Sequence, residues 1–302
     1  MKKLNIILCG LAACSMMLTS CLKTNNEDQV VTESFGSCFS YNVNKSTGDI
    51  TISKENSMIV KTNYTALNMG VTVGSLSVNG MTLPSAEFKD LKLQQNNTGW
   101  MIAEATAIRP EVKGFDEATV PMFNRVRIAS LNHMTEYNGS YLAGYDRALR
   151  LDTDNEVIFV SPVSTWSTGE TVVNNLSDAT EPLFKSSKPI YLIKLDTEKN
   201  TASITVHNAV FAPGMENRGL VIEFRDVPFT LDGTGRVTMR RTDAFDPYYD
   251  KAPNPAFPIS NLVCFWDFFT GIQISFNCDA KGGSYRVSAD LPFNFGYEAD
   301  KN

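Results

Sequence analysis

Asn261-Leu-Val-Cys-Phe-Trp-Asp-Phe-Phe269, then Thr270-Gly271, then Ile272-Gln-Ile-Ser-Phe-Asn-Cys278 reads as a β-hairpin: two aromatic and β-branched runs about a short loop ending in glycine. On the second arm Ile272, Ile274, Phe276 and Cys278 alternate with Gln273, Ser275 and Asn277, the period of a strand with one buried face. A two-residue loop at Thr270-Gly271 would oppose that face to Val263, Phe265, Asp267 and Phe269, and so bury a carboxylate beside Ile274. A slip of one residue opposes it instead to Leu262, Cys264, Trp266 and Phe268, so that all eight side chains are apolar. With Cys264 and Cys278 both on that buried face, a cross-strand disulfide between them is predicted, with two buried thiols as the alternative.

The same short alternation continues in both directions. Phe39-Ser-Tyr41-Asn-Val43 and Ile50-Thr-Ile52 flank the turn at residues 45–49, and further runs follow at 75–78, 88–93, 100–103, 126–131, 148–151 and 157–160. Beyond Tyr191 they resume at 191–195, 203–206, 220–225, 236–240 and 285–289. No twelve residues hold a capped helical stripe, and residues 116–118 and 175–180 could form one helical turn each at most. Residues 161–189, rich in Ser, Thr, Asn and Pro, read as a connector. The sequence thus predicts an all-β chain of two tandem antiparallel domains, each a β-barrel or a β-sandwich, at residues 35–184 and 189–302. Echoes between the halves suggest internal duplication. Asn63 and Met69 recur as Asn208 and Met215, Leu83-Pro84 as Val227-Pro228, and Ala107 to Pro110 as Ala244 to Pro247; Pro121-Met-Phe123 recurs as Pro255-Ala-Phe257 and Gly139-Ser-Tyr141 as Gly283-Ser-Tyr285.

At the other end, Lys2 and Lys3 precede an apolar stretch from Leu4 to Leu18, too short to span a bilayer, followed by Thr19-Ser20-Cys21. Leu18-Thr19-Ser20-Cys21 resembles the lipobox of bacterial lipoproteins. That resemblance implies cleavage after residue 20, acylation of Cys21, a tether over residues 21–34 and anchorage in the cell envelope, in the outer membrane. Glu27 and Asp28 are fewer and later than the acidic run that marks surface lipoproteins of gut bacteria, so both leaflets stay open. The two-domain pattern, with strands ending in Asn and Met and Pro-bounded hairpins, is similar to the tandem calycin-like β-barrel lipoproteins of gut bacteria. That likeness implies a barrel that binds something small or makes surface contacts, and supplies no catalytic residues.

Loss of residues 1–20 removes Lys2 and Lys3 and no acid, leaving 25 basic against 33 acidic side chains, a balance of −8. Such a surface argues against nucleic acid or an anionic lipid face as partner. Chemistry is sparse. His133 and His207 stand without a nucleophile elbow, and no Cys or His spacing fits zinc. Asp152-Thr-Asp154-Asn-Glu156 begins like a calcium loop but lacks the later glycine and glutamate, so a hairpin turn is the better reading. No cofactor and no enzymatic activity are predicted. The loop from Asp243 to Phe257 holds the candidate ligand site: Asp243, Asp246, Tyr248, Tyr249 and Asp250, where rings could stack on a sugar and carboxylates take its hydroxyls. The alternative is that Phe245, Tyr248 and Phe257 plug the end of the domain. The sequence thus points to a lipid-anchored envelope protein that binds a glycan or a surface protein, with a structural pilin or adhesin-type subunit as the alternative.

Overall fold

The computed structural model describes residues 29–95, 100–137, 140–215 and 218–292, and every regular element among them is a strand. Eight form a closed antiparallel meander: β1 (Val30–Asn44), β2 (Ile50–Asn63), β3 (Asn68–Val78), β4 (Met81–Gln95), β5 (Trp100–Ile108), β6 (Phe123–Tyr137), β7 (Ser140–Asp152) and β8 (Glu156–Pro162). Closure runs from Cys38↔Pro162 to Asn44↔Glu156 and removes most of the exposed sheet edge.

The rest is one curled sheet: β9 (Ser164–Thr168), β10 (Glu170–Asn175), β11 (Asp178–Ser186), β12 (Ile190–Asp196), β13 (Thr201–His207), β14 (Val221–Leu231), β15 (Arg236–Arg241), β18 (Ile259–Asp267), β19 (Gly271–Ala280) and β20 (Gly283–Pro292). A small ladder, β16 (Tyr248–Tyr249) and β17 (Ala252–Pro253), is added on β14. Read along the sheet the order is β11-β10-β20-β19-β18-β15-β14-β13-β12-β9. The chain joins β9, at one end of this path, to β10, next to the other end. β9 pairs with β12, and past Gly169 the same segment, now β10, pairs with β20. Counting β9 and β10 as one bent strand gives a second circuit of eight, with β11 laid outside it. Residues 161–189, read as a connector, therefore supply strands to the second unit, and β1 takes up residues 30–34 of the expected tether.

The units are copies, and the clearest trace is one that the sequence reading missed. Glu87-Phe-Lys-Asp-Leu91 on β4 repeats as Glu223-Phe-Arg-Asp-Val227 on β14. Phe88 and Phe224 are both buried, and Asp90 and Asp226 both take left-handed backbone, at φ 55° and 53°. Each strand meets the same turn. Asn63 Oδ1 accepts the N–H groups of Thr65 and Ala66, and Leu93 N donates to Leu67 O; likewise Asp196 Oδ1 accepts those of Glu198 and Lys199, and Phe229 N donates to Asn200 O. Of the earlier echoes, Ala107–Pro110 with Ala244–Pro247 and Pro121–Phe123 with Pro255–Phe257 fall at matching places, the first pair where the chain leaves β5 and β15 and the second where it enters β6 and β18. The other three are out of step: Asn63 ends β2 but Asn208 follows β13, Pro84 opens β4 but Pro228 closes β14, and Tyr141 opens β7 but Tyr285 opens β20.

The first barrel is filled by its own side chains, among them Met58, Val71, Leu83, Phe88, Phe123, Ile128 and Leu149. From Cys38 to Val43, β1 and its partner β8 are buried on both faces. Cys38 and Val160 point into the barrel, while Phe39, Tyr41, Val43 and Phe159 point into the core of the second unit. There Phe268 packs against Phe39 and Tyr41 at 5.9 and 6.3 Å, and Tyr41 stacks on Phe159 at 5.0 Å. The two units share this wall. Burial, with the carboxylates of Asp232 and Asp267 nearby, pushes the Tyr41 hydroxyl well above the ordinary tyrosine range.

The hairpin that opened the sequence reading buries the face it predicts: Leu262, Cys264, Trp266, Phe268, Ile272, Ile274, Phe276 and Cys278 all lie in the core. Its register differs. The loop takes Phe268, Phe269 and Thr270, because Asp267 Oδ1 accepts the N–H groups of Phe269 and Thr270 at 2.9 and 3.0 Å and Asp267 pairs with Gly271. Cys264 then faces Ile274, and a bulge between Ser260 and Val263 sets Cys278 across from Ile259. The expected disulfide is corrected to two free, buried thiols.

Candidate functional site

The loop after β15 crosses back over β14. Phe245 is buried, exchanges two backbone hydrogen bonds of 2.9 Å with Ile259, packs edge-on to Phe224 and lies under the Arg241 guanidinium at 4.2 Å. From that anchor the chain turns out as the hairpin β16–β17, paired with β14 through Ile222↔Tyr249 and Glu223↔Tyr248. Its two loop residues, Asp250 and Lys251, both have positive φ, 48° and 68°, the turn that matches strand twist. Asn254 N donates to Pro247 O at 2.8 Å and closes the base. The hairpin is thus held by backbone pairing on two sides.

Its five predicted residues divide. Tyr248 is half-buried, with the Arg225 guanidinium 4.0 Å above its ring, and Arg225 is held by Glu223 at 2.6 Å. Asp243 accepts from Arg241 at 3.2 Å. Tyr249, 41% exposed, and the exposed Asp246 and Asp250 are presented outward. Phe245 makes the plug, with Phe257 packed against the core from its half-buried position; Tyr248 lies outside the plug. Arg225 and Glu223 are the participants that sequence reasoning missed. Residues i and i+2 on a strand share a face, so Glu223 and Arg225 were legible as neighbours once β14 was recognised.

The first unit builds the same corner with other side chains. Residues 109–122 fold back over β4, Glu87 and Glu111 exchange backbone hydrogen bonds of 2.9 and 2.8 Å, and Lys89 reaches Glu111 at 2.5 Å and Glu87 at 3.7 Å. Those two carboxylates, Glu111 first, hold the Lys89 ammonium above its ordinary pKa.

Elsewhere two clefts open on the surface. One, of about 710 Å³, lies where the units meet and is lined by Gly36, Ser37, Asn56, Gly74, Ser75 and Thr197. Asn56 is buried there but satisfied: its amide nitrogen donates to Ser40 Oγ and Ser75 O, each at 3.3 Å, and its oxygen accepts from Ser57 N at 2.9 Å. The other, of about 370 Å³, lies on the outer sheet face between Glu170, Phe265, Gln273 and Asp290. Neither includes a residue of the candidate loop from Asp243 to Phe257, nor Cys264 or Cys278.

Asp152 to Glu156 forms the β7–β8 turn, and Glu156 takes hydrogen bonds from Asn42 Nδ2 at 2.9 Å and Asn79 N at 2.5 Å. His207 ends β13 half-buried, which lowers its pKa; the side chain of His133, on β6, lies outside the described residues, as does Cys21. Among the described residues no three of His, Cys, Asp and Glu gather where they could hold a metal ion. Burial pushes the thiols of Cys38 and Cys278 up to about 12 and that of Cys264 higher still, the opposite of an activated nucleophile. No protein-family model matches the chain, and no curated protein matches it in sequence.

Proposed function

We propose that this chain is an exported lipoprotein, anchored in the outer membrane through acylated Cys21, that binds a glycan or a partner protein on the outer surface of its second unit without catalysing a reaction. The observation that carries the reading is Tyr249, an exposed ring on a hairpin fixed by two ladders, flanked by Asp246 and Asp250. A ring held in place loses little entropy when a sugar or side chain stacks on it, and carboxylates beside it accept hydroxyl or amide hydrogens. The packed interiors of both units favour such a surface over a ligand held inside a barrel. A glycan-array or surface-protein signal abolished by Tyr249→Ala and weakened by Asp246→Asn is the expected result. Retention of full binding by Tyr249→Ala would remove this site. The anchor is tested separately, by palmitate labelling that disappears in Cys21→Ser.

A second reading, a subunit that accepts a strand from a neighbour, is favoured by one edge. Val30 to Phe35 of β1 pairs with β2, whereas β8 pairs with β1 only from Cys38 onward. Val30 and Val31 are 52% and 41% exposed, and the stretch contains neither the lysine nor the proline that usually guards a sheet edge. Polymer ladders on unheated gels, lost in Thr32→Lys with Ser34→Lys, would select it.

A further inference from the structure

We infer that the cleft where the two units meet is a binding site for a neutral sugar, separate from the corner that carries Tyr249. The cleft exists because two neighbouring strands part. β2 and β3 pair from Asn63↔Asn68 to Met58↔Val73. Beyond that point β2 follows β1, from Ser40↔Ser53 to Val43↔Ile50, while β3 follows β4, from Gly74↔Ser85 to Val78↔Met81. The second unit shows that the fold does not require this. There β12 and β13 pair from Asp196↔Thr201 to Ile190↔His207, and both strands end at that level. A parted edge ordinarily invites another strand, but the edge of β3 is capped by side chains. Asn56 Nδ2 donates to Ser75 O at 3.3 Å, Asn42 Nδ2 donates to Ser77 O at 2.9 Å, and Glu156 accepts from Asn79 N at 2.5 Å. The opening is held in place by these bonds, and a strand would have to displace them to enter.

The lining selects the ligand. At about 710 Å³ the cleft falls within the roughly 300–1,000 Å³ of clefts that hold small molecules. Ser37 of β1, Ser57 of β2, Ser75 of β3 and Thr197 of the β12–β13 turn bring hydroxyls to it. Gly36 and Gly74 leave backbone bare: an added Cβ on Gly74 would collide with Ser57 Oγ, and one on Gly36 would meet nothing within 4 Å. Val163 fastens the two walls, donating from its N–H to Ser37 O at 3.0 Å and accepting from Leu195 N at 2.8 Å. Among the described residues that line the cleft none is charged and none is aromatic. A charged ligand would lose hydration there without meeting an opposite charge, and an apolar one would strip water from the hydroxyls without replacing its hydrogen bonds. A sugar avoids both costs, because each of its hydroxyls donates and accepts as those of serine and threonine do.

The test uses the full chain isotope-labelled at its glycine nitrogens, so that the amides of Gly36 and Gly74 report from the cleft. Maltose, lactose, cellobiose and diacetylchitobiose are titrated in, with glucuronate as a charged control. Saturable shifts of both amides in the millimolar range with at least one disaccharide, and none with glucuronate, are the expected result. Thr197→Trp, which fills the cleft from a half-buried turn, should abolish those shifts while leaving the melting temperature within about 2 °C. Ser37→Ala, which removes one hydroxyl, should weaken binding about fivefold. Tyr249→Ala should leave the titration unchanged, which separates this site from the one proposed above. No saturable shift with any of the four disaccharides overturns the assignment, as do shifts that survive Thr197→Trp or that glucuronate reproduces.

Discussion

The same corner is built twice in this chain, once around Lys89 and once around Arg225, and the two versions differ in chemistry while sharing a backbone. In the first, the fold-back loop brings Glu111 to Lys89 and the corner becomes an exposed ion-pair cluster. In the second, Tyr248 stands where Glu111 does, stacks under Arg225 and leads into a hairpin that presents Tyr249. Strand pairing, the left-handed aspartate and the buried phenylalanine set the scaffold. The outward side chains were left to diverge, and the second corner presents its exposed aromatic, Tyr249, on a hairpin paired with β14.

The comparison breaks most readily at the buried phenylalanines. Phe224 touches the rings of Phe211, Phe245 and Phe276, whereas among the described residues Phe88 meets Phe123 as its one ring neighbour. Both truncations to alanine are expected to cost about 3–5 kcal/mol in urea unfolding, with Phe224→Ala the larger. Because β1 and β8 belong to both cores, each variant should still unfold in one transition. Two separated transitions would mean that the shared wall does not couple the units.

Next come the two glycines that bend the first strand of each unit. Gly169 is pressed against Asp290 and Leu291, whereas an added Cβ at Gly36 has nothing within 4 Å. Gly169→Ala should destabilise by about 1–3 kcal/mol and Gly36→Ala by no more than about 0.5 kcal/mol, measured in the same denaturant series. Equal costs would show that the bends are not held by the contacts described.

The outward chemistry is sharpened by salt. Lys89→Ala should lower the melting temperature slightly at low ionic strength and not at all in about 0.5 M salt, where exposed charges are screened. The Arg225→Ala shift should persist in salt, because stacking on Tyr248 depends less on long-range charge.

The smallest expected effect is that of pH at His207. Burial lowers its folded-state pKa below 6.5, so the unfolded chain binds the proton more readily, and stability should decline as pH falls through about 6.5. A urea midpoint that drops modestly between about pH 7.5 and pH 5.5, and drops less in His207→Gln, is the check.

How much of this was legible varies by element. The buried face of the hairpin at 261–278 was readable because alternation reports burial directly. Its cross-strand partners were not, because Asp267 caps a turn one step earlier than the glycine suggested and a bulge at Ser260 shifts the far end, two local events that leave the hydrophobic pattern unchanged. The candidate loop was legible as a cluster of acids and rings. Which ring is exposed depended on Arg225, a residue on another strand.

By itself the sequence determined that the chain is all-β, that it is duplicated and which side chains are buried, since period-two alternation and turn residues act over a few neighbours. Only the tertiary structure decided that residues 161–189 supply strands to the second unit, that β8 and the paired half of β1 are buried on both faces, and that Tyr249 is presented while Tyr248 is covered. Those outcomes depend on which distant strand lies alongside, and no local pattern carries that information.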